Sequence, residues 1–278
     1  CPESHPRATA VGGFFGYTHP AGGCEGDQAE YVRVPYADFG PTLIPDWMDP
    51  DDAVLLTDVV PTGYQAAEMG GIQKGDTVVV FGAGPVGLLA ARSAWLFGAG
   101  RVIVIDHHEY RLDFARRWCP AEVYDFREIG DPVVFLKKAT DIGADVCIDA
   151  VGADASGNAW HTIFGKKLKL EAGNAVPLHW AINSVKKGGV VSIVGVYGPT
   201  GNMIPIGNVV NKGITIRANQ AAVKRHLPKL IEHVKAGRIK PSEIITHRLP
   251  LEEVAEAYHL FSSKLDGCIK PVLIPSAA

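Results

Sequence analysis

No stretch of about 18 apolar residues occurs in the chain, so none is long and apolar enough to span a bilayer as a helix. The first residues lack the charged-then-apolar pattern of a signal peptide, and the expected compartment is the cytoplasm. Basic residues never run beyond a pair or so. With 27 Lys and Arg against 30 Asp and Glu, the net charge of −3 leaves no electrostatic footprint for nucleic acid or an anionic membrane. The five cysteines (Cys1, Cys24, Cys119, Cys147 and Cys268) are odd in number, scattered, and never spaced Cys-x-x-Cys. That argues against a disulfide framework and against a self-contained zinc knuckle. Cys119 and Cys147 stand in apolar surroundings and read as small core residues. No internal repeat or low-complexity tract stands out.

What is present is a globular composition, 47% apolar and 21% charged, in 278 residues: enough chain for two modest domains with a substantial core. The first 41 residues are irregular and rich in Gly, Pro and His, and the sequence starts at a cysteine; the expectation is that residues lie upstream of Cys1. From residue 76 a regular rhythm begins. "DTVVVFGAGPVGLLAARSAWLFGAGRVIVIDHHEYRLDFARRW" is a β-branched run, a glycine turn, a helical-period segment, a second strand, an acid and another helix, which is a βαβ unit. "AEVYDF", "ADVCIDAVG", "VVSIVGVYG" and "KGITIRANQ" read as further strands, and "DPVVFLKKATD" and "VPLHWAINSVKKGG" as helices, the latter with glycine at its C-terminal end. Alternation with short links predicts an α/β fold: a doubly wound parallel sheet with helices on both faces. Residues 153–176 read as an excursion from the repeat. After residue 220, "LPKLIEHVKAGRI" and "PLEEVAEAYHLFSSK" are amphipathic helices and "CIKPVLIP" a strand, assigned to a second structural unit.

Gly82, Gly84 and Gly87 form G-x-G-x-x-G directly after a strand and before a helix, with Pro85 and Val86 opening that helix. The first glycine allows the tight turn, the second lets the backbone approach a pyrophosphate, and the third permits close packing of helix on strand; free N–H groups at the helix start meet the anion. Asp106 ends the next strand, 19 residues after Gly87, where a carboxylate accepts hydrogen bonds from an adenosine ribose. A tightly packed helix without a ligand is the plain alternative. A methyltransferase is disfavoured, because its glycine turn usually runs G-x-G-x-G after an acid. An acid at 106 repels a 2′-phosphate, so NAD is expected over NADP; His107 and His108, if protonated, blunt that preference.

In "VLLTDVVPTGYQAAE", Asp58 sits among apolar neighbours ahead of a helix. Residue chemistry leaves three readings open: a capping side chain, a buried structural acid, or one ligand of a metal site whose other ligands lie elsewhere.

With "VLLTDVVPTGYQAAE", "IQKGDTVVVFGAGPVG", "SIVGVYG", "KGITIRANQ", "ITHRLPLEEVAEAYHLF" and "DGCIKPVLIP" in this order, the sequence resembles the zinc-dependent medium-chain alcohol dehydrogenases, and within them the glutathione-independent formaldehyde dehydrogenase-like subgroup. The resemblance covers nearly the whole chain. It implies a GroES-like β-rich catalytic domain, of which residues 1–58 are a remnant, a Rossmann domain at 59–220, and a return to the catalytic domain at 221–278. It also implies that Asp58 is a ligand of a catalytic zinc and that Thr62 lies beside the nicotinamide. By the same resemblance Arg111 serves the adenosine ribose or phosphates; Val151, Gly152, Val194 and Val196 line the cofactor crevice; and Lys270 lies near the pyrophosphate. The reaction so implied is hydride transfer between a small alcohol or aldehyde, formaldehyde-like aldehydes among them, and NAD, in a homodimer or homotetramer.

The family's other catalytic zinc ligands, a Cys and a His followed by Glu, have no counterpart in this sequence. Its four-cysteine structural zinc loop is absent too, except that Cys1 falls where the last cysteine would. His19, Cys24 and Asp27 read as loop residues rather than replacements. One carboxylate does not make a catalytic zinc site. The alternatives are therefore a dinucleotide-binding fragment or sensor without zinc chemistry, and a zinc-free quinone or enoyl reductase, the latter disfavoured by Asp106.

Overall fold

The computed structural model describes residue 16 and residues 23–34, 37–152, 175–197 and 204–276. Cys1, His19 and most of the excursion read at 153–176 lie outside the described residues. The chain divides into two units, Met48–Ile244 and Cys1–Trp47 with Ile245–Ala278.

Two helices, α1 (Pro50–Leu55) and α2 (Val59–Gly70), open the larger unit. The alternating series follows: β1 (Thr77–Phe81), α3 (Pro85–Leu96), β2 (Arg101–Asp106), α4 (Glu109–Trp118), β3 (Glu122–Asp125), α5 (Pro132–Thr140) and β4 (Ala144–Asp149). It continues with α6 (Val176–Ser184), β5 (Val185–Ile193), α7 (Ile206–Lys212), β6 (Thr215–Ala218) and α8 (Val223–Lys235). The six strands form one parallel sheet in the order β3-β2-β1-β4-β5-β6, with Val78 of β1 paired to Val102 on one side and Val146 on the other. That is the doubly wound Rossmann arrangement, with its topological switch point between β1 and β4.

The strands at the centre are continuous apolar runs because both faces are covered. Val78, Val79, Val80, Phe81, Ile103 and Val104 have at most 1% of their surface exposed. On one face Val79, Phe81, Ile103 and Ile105 pack with Leu136 of α5 and Leu178 and Ile182 of α6. Against the other face lie α2 and α3, which touch at backbone distance: a Cβ on Gly63 would stand 2.6 Å from the Leu89 Cβ. Cys119 and Cys147 are fully buried, their thiols pushed up by burial, Cys119 to about 12. They are core residues, as their surroundings in the sequence suggested.

Two expectations differ from the structure. The units divide at 47/48 and 244/245 rather than at 58/59 and 220/221, because polar contacts join the flanking helices to the sheet unit. Gln65 on α2 donates to the Gln220 carbonyl at 2.9 Å and accepts the Ala222 N–H at 2.8 Å, and Asp52 accepts the Ser242 N–H at 2.7 Å. The second difference is that the helix read through "VKKGG" ends at Ser184. Val185 turns extended (φ −67°, ψ 145°) and begins β5, with Lys186 paired to Asp145.

In the smaller unit, β7 (Ile245–Pro250) and β8 (Lys270–Ile274) pair in parallel, α9 (Val254–Ser263) lies between them in the chain, and the Tyr258 hydroxyl donates to Gln28 at 2.9 Å. Among the described residues no helix is long and apolar enough to cross a membrane.

Candidate functional site

The glycine turn leaves β1 at the switch point. Gly82 has φ +96°, a left-handed backbone that favours glycine, and its N–H donates to the Ile105 carbonyl at 2.8 Å. Gly84 precedes α3 in an extended conformation (φ −71°, ψ 178°), with no side chain capping the helix start. A Cβ added there would meet only the Arg111 Nη1, at 3.8 Å. Gly87 differs, because a Cβ would lie 1.9 Å from the Gly82 carbonyl oxygen. The third glycine is therefore a packing requirement of the turn, and the second leaves its backbone open. Pro85, at the first helical position, presets the helix without needing an N–H partner, and Val86 is half-buried beside it.

Asp106 ends β2 with its carboxylate against this turn. One oxygen accepts the Ala83 N–H at 2.6 Å, and the other accepts the N–H groups of His107 (2.6 Å) and His108 (3.0 Å). The acid expected to face a ribose is thus also the brace of the glycine turn. Only Oδ2, which accepts a single N–H, keeps a lone pair for an incoming hydroxyl. Arg111, on the first turn of α4, is buried, its Nε donating to the Tyr110 hydroxyl at 3.0 Å and its guanidinium flanking Gly84.

The loops after β4 and β5 lie across the switch point from the turn. The Ala150 N–H donates to the Phe81 carbonyl at 3.0 Å, joining β4 to β1 where the turn begins. Val151 and Val194 are half-buried, Gly152 is exposed and Val196 is 47% exposed. Sequence reasoning missed two residues here, Asp149 and Tyr197. Asp149 is completely buried, and its carboxylate accepts the Tyr197 hydroxyl and, at 3.1 Å, the Val151 N–H. Burial pushes its carboxyl up to about 6 against the opposing pull of those two donors; burial likewise raises the Tyr197 phenol. A signal did exist, since "VCID" ends in an acid just as "VIVID" does.

Asp58 and Thr62 come together at the start of α2. Asp58 is exposed and stands at the N-cap position, but its side chain makes no capping bond to a backbone N–H. The Thr62 hydroxyl lies 2.7 Å from the Asp58 carbonyl and 3.0 Å from its carboxylate, so its single proton is shared between the two acceptors. Asp58 belongs to no group of three potential metal ligands; among the described residues the one such group is Asp106, His107 and His108, where Asp106 is already occupied by backbone donors. The described residues therefore do not fit a catalytic zinc site, offering one prospective ligand where three are needed. Lys270 opens β8 in the smaller unit, its ammonium 6.0 Å from the Phe261 ring.

Residues 85–163 match the family described as zinc-binding dehydrogenase. Over 99% of its length the chain is 40% identical to a zinc-type alcohol dehydrogenase-like protein of Bacillus subtilis, spanning 73% of that protein. A glutathione-independent formaldehyde dehydrogenase of Bacillus subtilis is 41% identical over 153 residues, 53% of this chain and 37% of that protein. Among solved structures, the alcohol dehydrogenase of Thermus sp. ATN1 superposes with a TM-score of 0.82 at 30% identity, covering 95% of this chain and 71% of the other.

Proposed function

Starting from its membership of the zinc-type alcohol dehydrogenase family of oxidoreductases, we propose that the chain binds NAD across the β1/β4 switch point and serves hydride transfer between a small alcohol or aldehyde and the nicotinamide. The carrying observation is the glycine turn braced by Asp106. The start of α3 carries no side-chain cap and at Gly84 a Cβ would meet only the Arg111 guanidinium at 3.8 Å, while a buried acid stands one strand away.

In this reading the Gly84–Gly87 backbone receives the pyrophosphate, and the Arg111 guanidinium beside Gly84 adds a cation to the same place. Asp106 Oδ2 accepts one ribose hydroxyl. The same carboxylate disfavours a 2′-phosphate, because a second anion would have to be held against a buried one, and this supports NAD over NADP. The Thr62 hydroxyl, whose single proton is shared between the Asp58 carbonyl and carboxylate, keeps lone pairs that can accept a hydrogen bond from a substrate hydroxyl. NAD, when bound, would accept the hydride, and NADH would donate it; the chain's own residues orient the cofactor. Asp58 is proposed as the contribution of this chain to a zinc site that needs further ligands. The partial match to a formaldehyde dehydrogenase supports small aldehydes as the substrate class.

Fluorescence titration with NADH and NADPH tests the reading. NADH is expected to bind about tenfold or more tightly than NADPH, equivalent to about 1.4 kcal/mol. Replacing Asp106→Ser should weaken NADH and narrow the gap. Equal affinity for the two in the unmodified chain would overturn the assignment of Asp106, and no binding of either would overturn the dinucleotide site.

A further inference from the structure

Two loops leave the sheet on the β4–β5 side, and one pair of side chains holds them together. Asp149 binds the β5 loop with both its main chain and its side chain. Its carbonyl accepts the N–H groups of Val194 (3.0 Å) and Gly195 (2.9 Å), and its carboxylate accepts the Tyr197 hydroxyl. The same carboxylate accepts the Val151 N–H of its own loop at 3.1 Å, and the Val151 carbonyl accepts the Val196 N–H at 3.2 Å. The two backbones pass so closely that a Cβ on Gly195 would lie 2.9 Å from the Val151 oxygen and 3.2 Å from the Asp149 carboxylate. Tyr197 is the one ionisable side chain bonded to Asp149 among the described residues.

A buried acid at this point is unfavourable by itself, and burial pushes its carboxyl up to about 6. An apolar residue would fill the space without that penalty, but it would not bind Val151 and Tyr197 at once. Each half of this fold takes one mononucleotide, and the glycine turn and Asp106 occupy the β1–β2 half. The nicotinamide half of a dinucleotide accordingly falls to β4 and β5.

Resting on the dinucleotide reading above, we infer that the Asp149–Tyr197 pair is a positioning element for the nicotinamide half of the cofactor. It clamps residues 194–197 onto residues 149–151, so that Val151, Val194 and Val196 present a single fixed wall. Neither member of the pair needs to touch the cofactor; both act through the loops they tie.

The test compares NADH with ADP, which carries the adenosine and diphosphate but no nicotinamide. By calorimetric titration, Tyr197→Phe and Asp149→Asn should each weaken NADH about tenfold, the loss of one hydrogen bond to a charged acceptor. ADP affinity should change by less than about twofold, and the double variant should be no more than about threefold weaker for NADH than either single one. Asp145→Asn, which frees Lys186 and the Thr77 N–H at the opposite end of β4, serves as the control: it should lower stability and leave NADH affinity unchanged. Unchanged NADH affinity in both loop variants overturns the inference, and so does equal weakening of NADH and ADP, which marks a purely structural pair. A wild-type chain that binds neither ligand overturns the dinucleotide reading itself, and that result is visible before any variant is made. Should the variants not fold, hydrogen exchange on the wild-type chain decides: NADH should slow the amides of residues 194–197 more than ADP does, and equal protection overturns the inference.

Discussion

Gly84 and Gly87 stand three residues apart in one turn, yet adding a methyl group should do different things at the two positions. At Gly84 the backbone lies at φ −71° and ψ 178°, which alanine adopts freely, and the new Cβ would meet only a guanidinium nitrogen at 3.8 Å. The fold should not feel Gly84→Ala; the stability change is expected within about 0.5 kcal/mol. The methyl would stand where a pyrophosphate must approach the backbone, so NADH affinity should fall about tenfold to a hundredfold, or about 1.4–2.8 kcal/mol. At Gly87 the Cβ would sit 1.9 Å from the Gly82 carbonyl oxygen, more than an ångström inside contact distance. Gly82 is itself fixed, with its N–H on Ile105 and its own Cβ position 3.0 Å from the Ala150 oxygen, so the turn cannot yield without losing other contacts. Overpacking of this kind costs about 1–3 kcal/mol. At roughly 2–4 °C per kcal/mol for a unit of this size, Gly87→Ala should melt several degrees lower. Thermal melts by circular dichroism and NADH titration by fluorescence, run on the same samples, separate the two effects. If Gly84→Ala binds NADH like wild type, the backbone approach at that glycine is refuted. If Gly87→Ala melts like wild type, the close packing of helix on turn is refuted.

Asp149 should also leave a mark on stability against pH. Its folded-state pKa, pushed up to about 6 from an ordinary 3.8, means that the folded chain holds this proton more firmly than the unfolded one. The resulting stabilisation is complete below about pH 3.8 and is lost as the pH rises through about 6, a total of about 3 kcal/mol for this one group. Urea melts between pH 4 and 7 should show that component in the wild type and lose it in Asp149→Asn; an identical slope in both would refute the shift. For the metal, atomic absorption on the isolated chain after dialysis should find well under one zinc per chain, because the described residues offer only Asp58 where three ligands are needed. Stoichiometric zinc surviving dialysis would show that ligands have been overlooked.

Several features were readable without coordinates because their signals are local. Runs such as "TVVVF" and "RVIVID" announce strands buried on both faces, and the spacing of Gly82, Gly84, Gly87 and Asp106 announces a strand–turn–helix that meets an anion. That the sheet is parallel followed from the alternation of strands and helices, whereas the strand order did not. What the linear pattern could not supply was the set of groups each side chain meets. Asp106 faces the predicted site but spends most of its acceptors on Ala83, His107 and His108, and Asp58 stands at an N-cap without capping. Gln65 draws residues 220–222 into the sheet unit across more than 150 positions, and Asp149 meets Tyr197 across 48. Hydrophobic period and turn chemistry act over a few residues, so the sequence by itself determined the βα alternation and most of its elements, but not the helices Pro50–Leu55 and Ile206–Lys212 or the start of β5 at Val185. Which distant polar groups come within hydrogen-bonding reach depends on how those elements close over a common core, and that was decided only by the tertiary structure.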